Sequence, residues 1–146
     1  MKLEIIFSEF GSRDQANQQW VNPLPRLDPT YSSVKKYFPE AKLTLYTDRP
    51  EIGDDYKDIE VKLKNVENSP FSKDNHRWGW HCCDYYQVFG LLNSKADIAI
   101  SVDSDLMFTS NQVRTILPII KKFGICVPTN ERQLFKVDGL HTRGND

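Results

Sequence analysis

The segment from Ile98 to Phe108 carries the side chains best suited to chemistry. It is an apolar run that ends in Asp103 and Asp105, with Ser104 between them. In extended backbone, residues two apart project to the same side, so both carboxylates would face one point and Ser104 the opposite side. Two carboxylates without a nearby histidine or cysteine form a hard oxygen site, which suits Mg²⁺ or Mn²⁺ better than Zn²⁺ or copper. A divalent cation there could bridge to a diphosphate, because it offsets the charge of both carboxylates and phosphates.

A structural interpretation competes with this one. Asp-x-Asp is a short pattern that is common by chance, and the two aspartates could simply cap a following helix. Their location favours the functional interpretation. Ile98 to Val102 is almost entirely apolar, which predicts a central strand covered on both faces. In parallel sheets, ligands bind beyond the carboxyl ends of the strands.

Strands alternate with helices along the chain. Short apolar runs predict strands at 3–7, 43–47, 59–63, 98–102 and 125–127. Helical signals separate them, at about 28–38, 75–93 and 113–120. This order predicts an α/β, Rossmann-like fold with a mostly parallel sheet and helices on both faces. Ser8, Asp48 and the Asp103–Asp105 pair follow three of the predicted strands and would share one edge of the sheet.

Local signals set the limits of the first predicted helix. Asp28 and Pro29 suit a helix start, and Pro39 should end the helix. Its buried face is predicted to comprise Leu27, Tyr31, Val34 and Phe38.

The two later helices are defined by periodicity and by helix breakers. An apolar stripe in the helix 75–93, spaced four and three residues apart, predicts core packing by Trp78, Cys82, Tyr85, Phe89 and Leu92. Pro118 should kink or split the helix 113–120, and Gly124 should cap its end.

Composition excludes several classes of function. The 146 residues have a formal net charge of -1, with 19 basic and 20 acidic side chains, which argues against a nucleic-acid partner. The three cysteines, Cys82, Cys83 and Cys126, form no Cys-x-x-Cys pair, so neither a zinc site nor a disulfide framework is indicated. Reduced thiols fit a cytoplasmic location. No apolar run approaches transmembrane length.

An apolar strand that runs into Val-Asp-Ser-Asp resembles the DxD motif of the GT-A-fold glycosyltransferases. The segment Leu43 to Asp48 resembles their second strand with its terminal acidic residue, and His76 to Leu92 resembles the helix before the motif strand. The resemblance covers most of the segment from Lys2 to Thr129, with the motif as its specific part. It implies a transferase that uses Mn²⁺ or Mg²⁺ and moves a sugar from a nucleoside diphosphate, with a UDP-sugar as first expectation, to an acceptor hydroxyl on a glycan, protein or lipid.

The resemblance also implies roles for individual residues. Asp105 would bind the metal directly, and Asp103 would contact the ribose and also reach the metal. Asp48 would lie near the base or ribose, and Ser8 beneath the nucleotide. Arg77 would pair with Asp48, the diphosphate or the motif; a solvated surface arginine is the alternative.

The chain departs from the family in length. Family domains are usually longer, and their second half supplies the acceptor site and often a histidine as third metal ligand. Here His141 is the only histidine after the motif, in a polar segment from Glu131 to Asp146, where an ordinary loop histidine is the alternative. The expectation is one nucleotide-sugar-binding domain over residues 1–146. Three interpretations of its short length stay open: a fragment truncated after about residue 130, a minimal transferase, or a module that binds without catalysing.

Three alternatives remain at this stage. A nucleotide-sugar-binding module without catalysis would need the same site. A phosphatase whose first aspartate attacks phosphorus normally carries Asp-x-Asp after its first strand, and a hydroxyl residue or valine follows the second aspartate. Here the motif comes after the fourth predicted strand, and Leu106 follows the second aspartate. A metal-dependent nuclease would want a glutamate on the first strand; Glu9 matches, but the wide spacing and near-neutral charge count against it.

The purified chain is expected to bind donor but to transfer sugar weakly or not at all. Every candidate ligand except His141 lies on the nucleotide side, and the segment 131–146 has few apolar residues to build an acceptor wall. Slow hydrolysis of the donor by water would persist. Transfer of radiolabelled sugar to a panel of acceptors measures this, and robust transfer by the chain alone would contradict it.

Overall fold

The computed structural model describes residues 1–10, 24–49, 52–64 and 78–124. The chain divides into two compact units, 1–114 and 115–146. All described strands belong to the first unit, and of the second unit residues 115–124 are described. The single-domain interpretation stays a prediction.

The described strands form one parallel sheet. In chain order the elements are β1 (Leu3–Glu9), α1 (Leu24–Tyr37), β2 (Lys42–Thr47), α2 (Ile52–Asp55), β3 (Ile59–Leu63), α3 (Trp78–Asn93), β4 (Ile98–Ser101), a 3₁₀ helix (Asn111–Thr115) and α4 (Ile116–Phe123). The strand order is β3-β2-β1-β4, and every pairing is parallel. Right-handed crossovers that run in opposite directions along a sheet place α1 and α3 on opposite faces. The α/β, Rossmann-like prediction is confirmed, while the predicted strand 125–127 lies outside the described residues. None of the described helices combines the length and apolarity that a bilayer span requires.

β1 is the strand with both faces covered. All seven of its residues are buried, and it continues past the predicted end at Phe7 to Glu9. The prediction that 98–102 would be the fully covered strand is wrong. Among the described strands β4 pairs with β1 alone, ends at Ser101, and has three half-buried residues out of four. Apolar composition predicts that a strand is buried, but which strands lie beside it depends on how the chain crosses over the sheet.

α1 begins earlier than predicted. It starts at Leu24, so Asp28 does not begin it and Pro29 lies inside it. The helix ends at Tyr37, shortly before Pro39, as predicted. Most of the predicted buried face is confirmed: Leu27, Val34 and Phe38 are buried and Tyr31 is half-buried.

The buried face of α3 overlaps the predicted apolar stripe only in part. Cys82, Cys83 and Tyr86 are buried and form a core cluster with Ile6, Phe10 and Tyr46. Of the stripe, Cys82 is confirmed and Phe89 packs against this cluster, whereas Tyr85 and Leu92 are 38% and 80% exposed. The side chain of Trp78 lies outside the described residues. Small residues, including Gly90, let the helix approach the sheet more closely than bulky ones would, so close packing determined which face is buried. The two cysteines are buried thiols, and Cys126 lies outside the described residues.

Glu4 is a buried carboxylate at the amino edge of the sheet. It accepts hydrogen bonds from the hydroxyls of Thr44, at 2.6 Å, and of Ser94 just after α3, and the Lys42 ammonium lies 3.5 Å away. Burial acts to raise the pKa of Glu4, but the two hydroxyl hydrogen bonds and the charge of Lys42 outweigh it and hold the pKa below its usual value. Glu4 thereby links β1, β2 and the turn that leads into β4.

The predicted helix 113–120 is divided between the 3₁₀ helix Asn111–Thr115 and α4, but the division falls before Pro118. The helix begins at Ile116, so Pro118 lies in its first turn, where the missing backbone N–H costs no intrahelical bond. Gly124 ends the helix as predicted: its φ is 82°, and its N–H donates to the Ile120 carbonyl.

Gly90→Ala tests the close approach of α3 to the sheet. A Cβ at this position would lie 2.8 Å from Ile6 Cγ2 and 2.9 Å from Tyr46 Cε2. Alanine normally gains about 1 kcal/mol over glycine in a helix, but overpacking costs about 1–3 kcal/mol. We expect a net loss in the free energy of unfolding, measured in urea. Leu92→Ala, at an exposed position, is the control and should change it by less than about 0.5 kcal/mol. A Gly90→Ala protein more stable than the parent would contradict the close packing.

Candidate functional site

The carboxyl ends of β1 and β4 form the topological switch point of the sheet. From β1 the chain moves outward through β2 to β3, then returns to place β4 on the other side of β1. The two strands remain paired to the end of β4, where the Val102 N–H donates to the Ile6 carbonyl at 2.9 Å. Ligands of open parallel sheets bind in the crevice at such a point. The Asp-x-Asp segment follows β4 directly.

The two aspartates lie on a turn. The Leu106 N–H donates to the Asp103 carbonyl at 3.2 Å, so the backbone is not extended here and the strand-alternation argument is wrong. The expected division of the side chains is nevertheless observed: Asp103 and Asp105 are exposed, whereas Ser104 is 1% exposed. The turn therefore presents both acidic residues at the surface and directs the residue between them inward.

Ser104 anchors the turn from beneath. Its hydroxyl donates to the carboxylate of Glu9, the last residue of β1, which is itself 1% exposed. Its backbone carbonyl accepts a hydrogen bond from the Thr30 hydroxyl of α1 at 2.8 Å. Ser104 is thus tied to the central strand and to a helix through two different groups.

α1 also holds the segment that follows the turn. The Phe108 N–H donates to the Ser33 hydroxyl at 3.1 Å, and the Tyr37 hydroxyl donates to the Thr109 carbonyl at 2.8 Å. The rings of Phe108 and Phe38 meet edge to face, with centroids 5.6 Å apart. Thr30, Ser33 and Tyr37 are three and four residues apart, so one face of α1 carries all three hydrogen bonds.

The helix-capping interpretation of the aspartates is wrong for the 3₁₀ helix that follows them. Ser110 immediately precedes that helix, and its hydroxyl accepts the Gln112 N–H at 3.3 Å. Asp103 and Asp105 come earlier in the chain and are separated from the helix by a segment without regular secondary structure. Their position does not come from capping.

Asp103 is oriented from the opposite side of the sheet. Gln87 of α3 donates from Nε2 to Asp103 Oδ1 at 2.8 Å. The same Gln87 accepts through Oε1 from the Ser101 hydroxyl at 2.9 Å. A strand, a helix and the turn therefore meet at this amide.

Two of the other predicted ligands, Ser8 and Asp48, lie near the carboxyl ends of the strands. Ser8 is 1% exposed, and its hydroxyl donates to the Cys83 carbonyl at 3.0 Å, so it links β1 to α3. Asp48 is half-buried just after β2. Because β2 and β4 flank β1, the strands that lead to Asp48 and to the motif are about 10 Å apart across the sheet. Arg77 and His141 lie outside the described residues. The binding roles of all four stay predictions.

The side chains near the motif can be compared with the ligands that the expected cation requires. Across the described ranges, no group of three or more His, Cys, Asp and Glu side chains is placed to hold a metal. Mg²⁺ is commonly held by one or two carboxylates, with substrate phosphates and water completing the coordination. Two exposed aspartates at the switch point fit that pattern, with Asp103 and Asp105 as the residues that would hold Mg²⁺ or Mn²⁺.

Sequence reasoning did not assign the residues that position the motif. Thr30 and Ser33 form part of a polar stripe with helical spacing, which was a usable signal. Gln87 had no such signal, since its partner depends on the tertiary fold. Glu9 was considered as a nuclease ligand, but it is buried against Ser104 while the two aspartates are exposed.

No protein-family model, curated protein or solved structure matches the chain. The geometry of the site is therefore the basis on which a function can be argued.

Ser104→Ala tests the anchor of the turn. Removing its hydroxyl takes a hydrogen-bond donor from the buried Glu9 carboxylate, which should lower the free energy of unfolding by about 1–3 kcal/mol. Ser32→Ala, on the exposed side of α1, is the matched control and should stay within about 0.5 kcal/mol of the parent. Equal denaturation midpoints for the two variants would mean that the Ser104–Glu9 hydrogen bond contributes nothing measurable.

Proposed function

We propose that this chain binds a nucleoside-diphosphate sugar, with a UDP-sugar as first candidate, as the donor-binding part of a metal-assisted glycosyltransferase. One observation carries the proposal: Asp103 and Asp105 are exposed on an anchored turn at the switch point of a parallel sheet. A diphosphate and a hard cation are the ligands that such an arrangement suits.

The anchoring of the turn supports a ligand role over an accidental one. Ser104 is tied to Glu9 and Thr30, and Gln87 orients Asp103, so the turn between the aspartates is fixed by three elements. A solvated acidic turn without a ligand needs no such support. Ligand groups that are held in place before binding lose less freedom when the ligand arrives.

In this proposal Asp105 and Asp103 would hold a divalent cation beside the diphosphate. When bound, it offsets the negative charge that grows on the leaving diphosphate. The strands that lead to Asp48 and to the motif are separated by β1, and this lateral separation leaves room for a ribose between them. The acceptor would be a hydroxyl of a glycan, a protein or a lipid.

The decisive experiment is thermal unfolding of the chain with UDP, with and without Mn²⁺. We expect UDP to stabilise the protein only when Mn²⁺ or Mg²⁺ is present, by about 2.7 kcal/mol at 100 times its dissociation constant. Stabilisation of the same size in a chelator would refute the metal-assisted site. Turnover of a UDP-sugar by the same protein distinguishes an enzyme from a module that binds without catalysing.

Asp105→Asn locates the effect. The isosteric amide removes one anionic oxygen ligand, so metal-dependent stabilisation by UDP should be lost while the parent unfolding temperature is retained. Asp97→Asn makes the same change at the amino end of β4, where the Asp97 side chain accepts the Lys2 N–H at 2.7 Å. This control should respond to UDP and Mn²⁺ like the parent. If Asp105→Asn also responds like the parent, the site is wrongly placed.

A further inference from the structure

Gln87 occupies a position from which it can control one of the two aspartates. It is half-buried on α3. Its Oε1 accepts a hydrogen bond from the Ser101 hydroxyl at 2.9 Å, and its Nε2 donates one to Asp103 Oδ1 at 2.8 Å. We infer that Gln87 is a positioning residue, which sets the orientation of the Asp103 carboxylate for a divalent cation. This inference rests on the proposed function, because it concerns the same cation.

The chemistry of the two partners selects one orientation of the amide. An ionised carboxylate only accepts hydrogen bonds, so Gln87 must turn its Nε2 toward Asp103. Oε1 then faces Ser101, whose hydroxyl can donate to it. A flipped amide would turn Oε1 toward the Asp103 carboxylate and lose that hydrogen bond, whereas the Ser101 hydroxyl can either donate or accept. Asp103 therefore selects the orientation of the amide, and Ser101 holds the amide in place.

The neutrality of the glutamine matters as much as its geometry. It occupies one carboxylate oxygen, Oδ1, and leaves the charge of Asp103 in place for a cation. A lysine at the same position could make the same hydrogen bond, but its charge would compensate Asp103 and repel the incoming metal. Hydrogen-bonded partners behind metal ligands typically change metal affinity by about 10- to 100-fold when they are mutated.

The three residues lie on two packed elements of the fold and the turn that they hold. Ser101 is the last residue of β4, and α3 packs on β1 and β4 through the adjoining face that carries Cys83 and Tyr86. Ligand groups supported from regular elements are held more accurately than groups supported only by a loop.

The experiment titrates the parent and each variant with Mn²⁺ alone and follows free Mn²⁺ by electron paramagnetic resonance. Urea unfolding is measured in parallel. Gln87→Leu should weaken Mn²⁺ binding by about 10-fold or more, because the carboxylate loses its orienting donor. Asn93→Leu, which removes an exposed amide from the last turn of the same helix, is the control and should bind like the parent.

Gln87→Lys tests whether the neutrality of the amide matters. Lysine keeps a donor for Asp103, but its charge would compensate the carboxylate. We expect near-parental unfolding in urea together with loss of measurable Mn²⁺ binding. Parental Mn²⁺ affinity in this variant would overturn the inference.

Ser101 supplies the rescue. Ser101→Ala frees the amide to rotate and should weaken Mn²⁺ binding, whereas Ser101→Thr keeps the hydroxyl and should restore it.

If the parent binds Mn²⁺ but Gln87→Leu binds it equally well, the inference fails and the proposed function stands. If the parent itself binds no Mn²⁺, the proposed cation site fails, and the inference with it.

Discussion

A buried hydrogen bond from the Ser104 hydroxyl to the Glu9 carboxylate joins the segment after β4 to the end of the central strand. A carboxylate buried at this depth is unfavourable unless donors satisfy its oxygens. Ser104 can reach it only if the middle of the Asp-x-Asp segment turns inward, and that turn leaves the aspartates on either side at the surface. The exposure of the candidate ligands is therefore a consequence of satisfying a buried acid, and the buried strand provides the fixed point.

The parallel topology explains why one turn can be held from both faces of the sheet. β1 and β4 are adjacent although most of the chain separates them, and the crossovers place α1 on one face and α3 on the other. Thr30 of α1 holds the Ser104 carbonyl, while Gln87 of α3 holds the Asp103 side chain. Strand order thus brings four separate parts of the sequence to the switch point, where open parallel sheets bind their ligands.

Periodicity and local chemistry were sufficient to predict the fold class, and they found β3 with its observed limits and the left-handed cap at Gly124. They failed where tertiary packing decides. The face of α3 that meets the sheet was predicted only in part: Cys82 is buried, but the close approach at Gly90 leaves the bulky Tyr85 and Leu92 exposed. The acidic pair was found because its residue types are informative on their own. The residues that hold it were not assigned, because Glu9 and Gln87 acquire their roles only through partners that the fold brings near.

Two acids at opposite edges of the sheet show how their surroundings separate a structural carboxylate from a candidate ligand. Glu4, at the amino edge, is buried, accepts two hydroxyl hydrogen bonds and lies beside the Lys42 ammonium, so the protein itself compensates its charge. Asp103, at the carboxyl edge, is exposed and receives a hydrogen bond from the neutral amide of Gln87. A neutral donor orients a carboxylate without cancelling its charge, and an exposed carboxylate can accept a cation without first being desolvated by the fold. If the fold required only that Asp103 be compensated, a basic residue on α3 would serve better than glutamine. The amide is the better choice where the compensating charge arrives with a ligand.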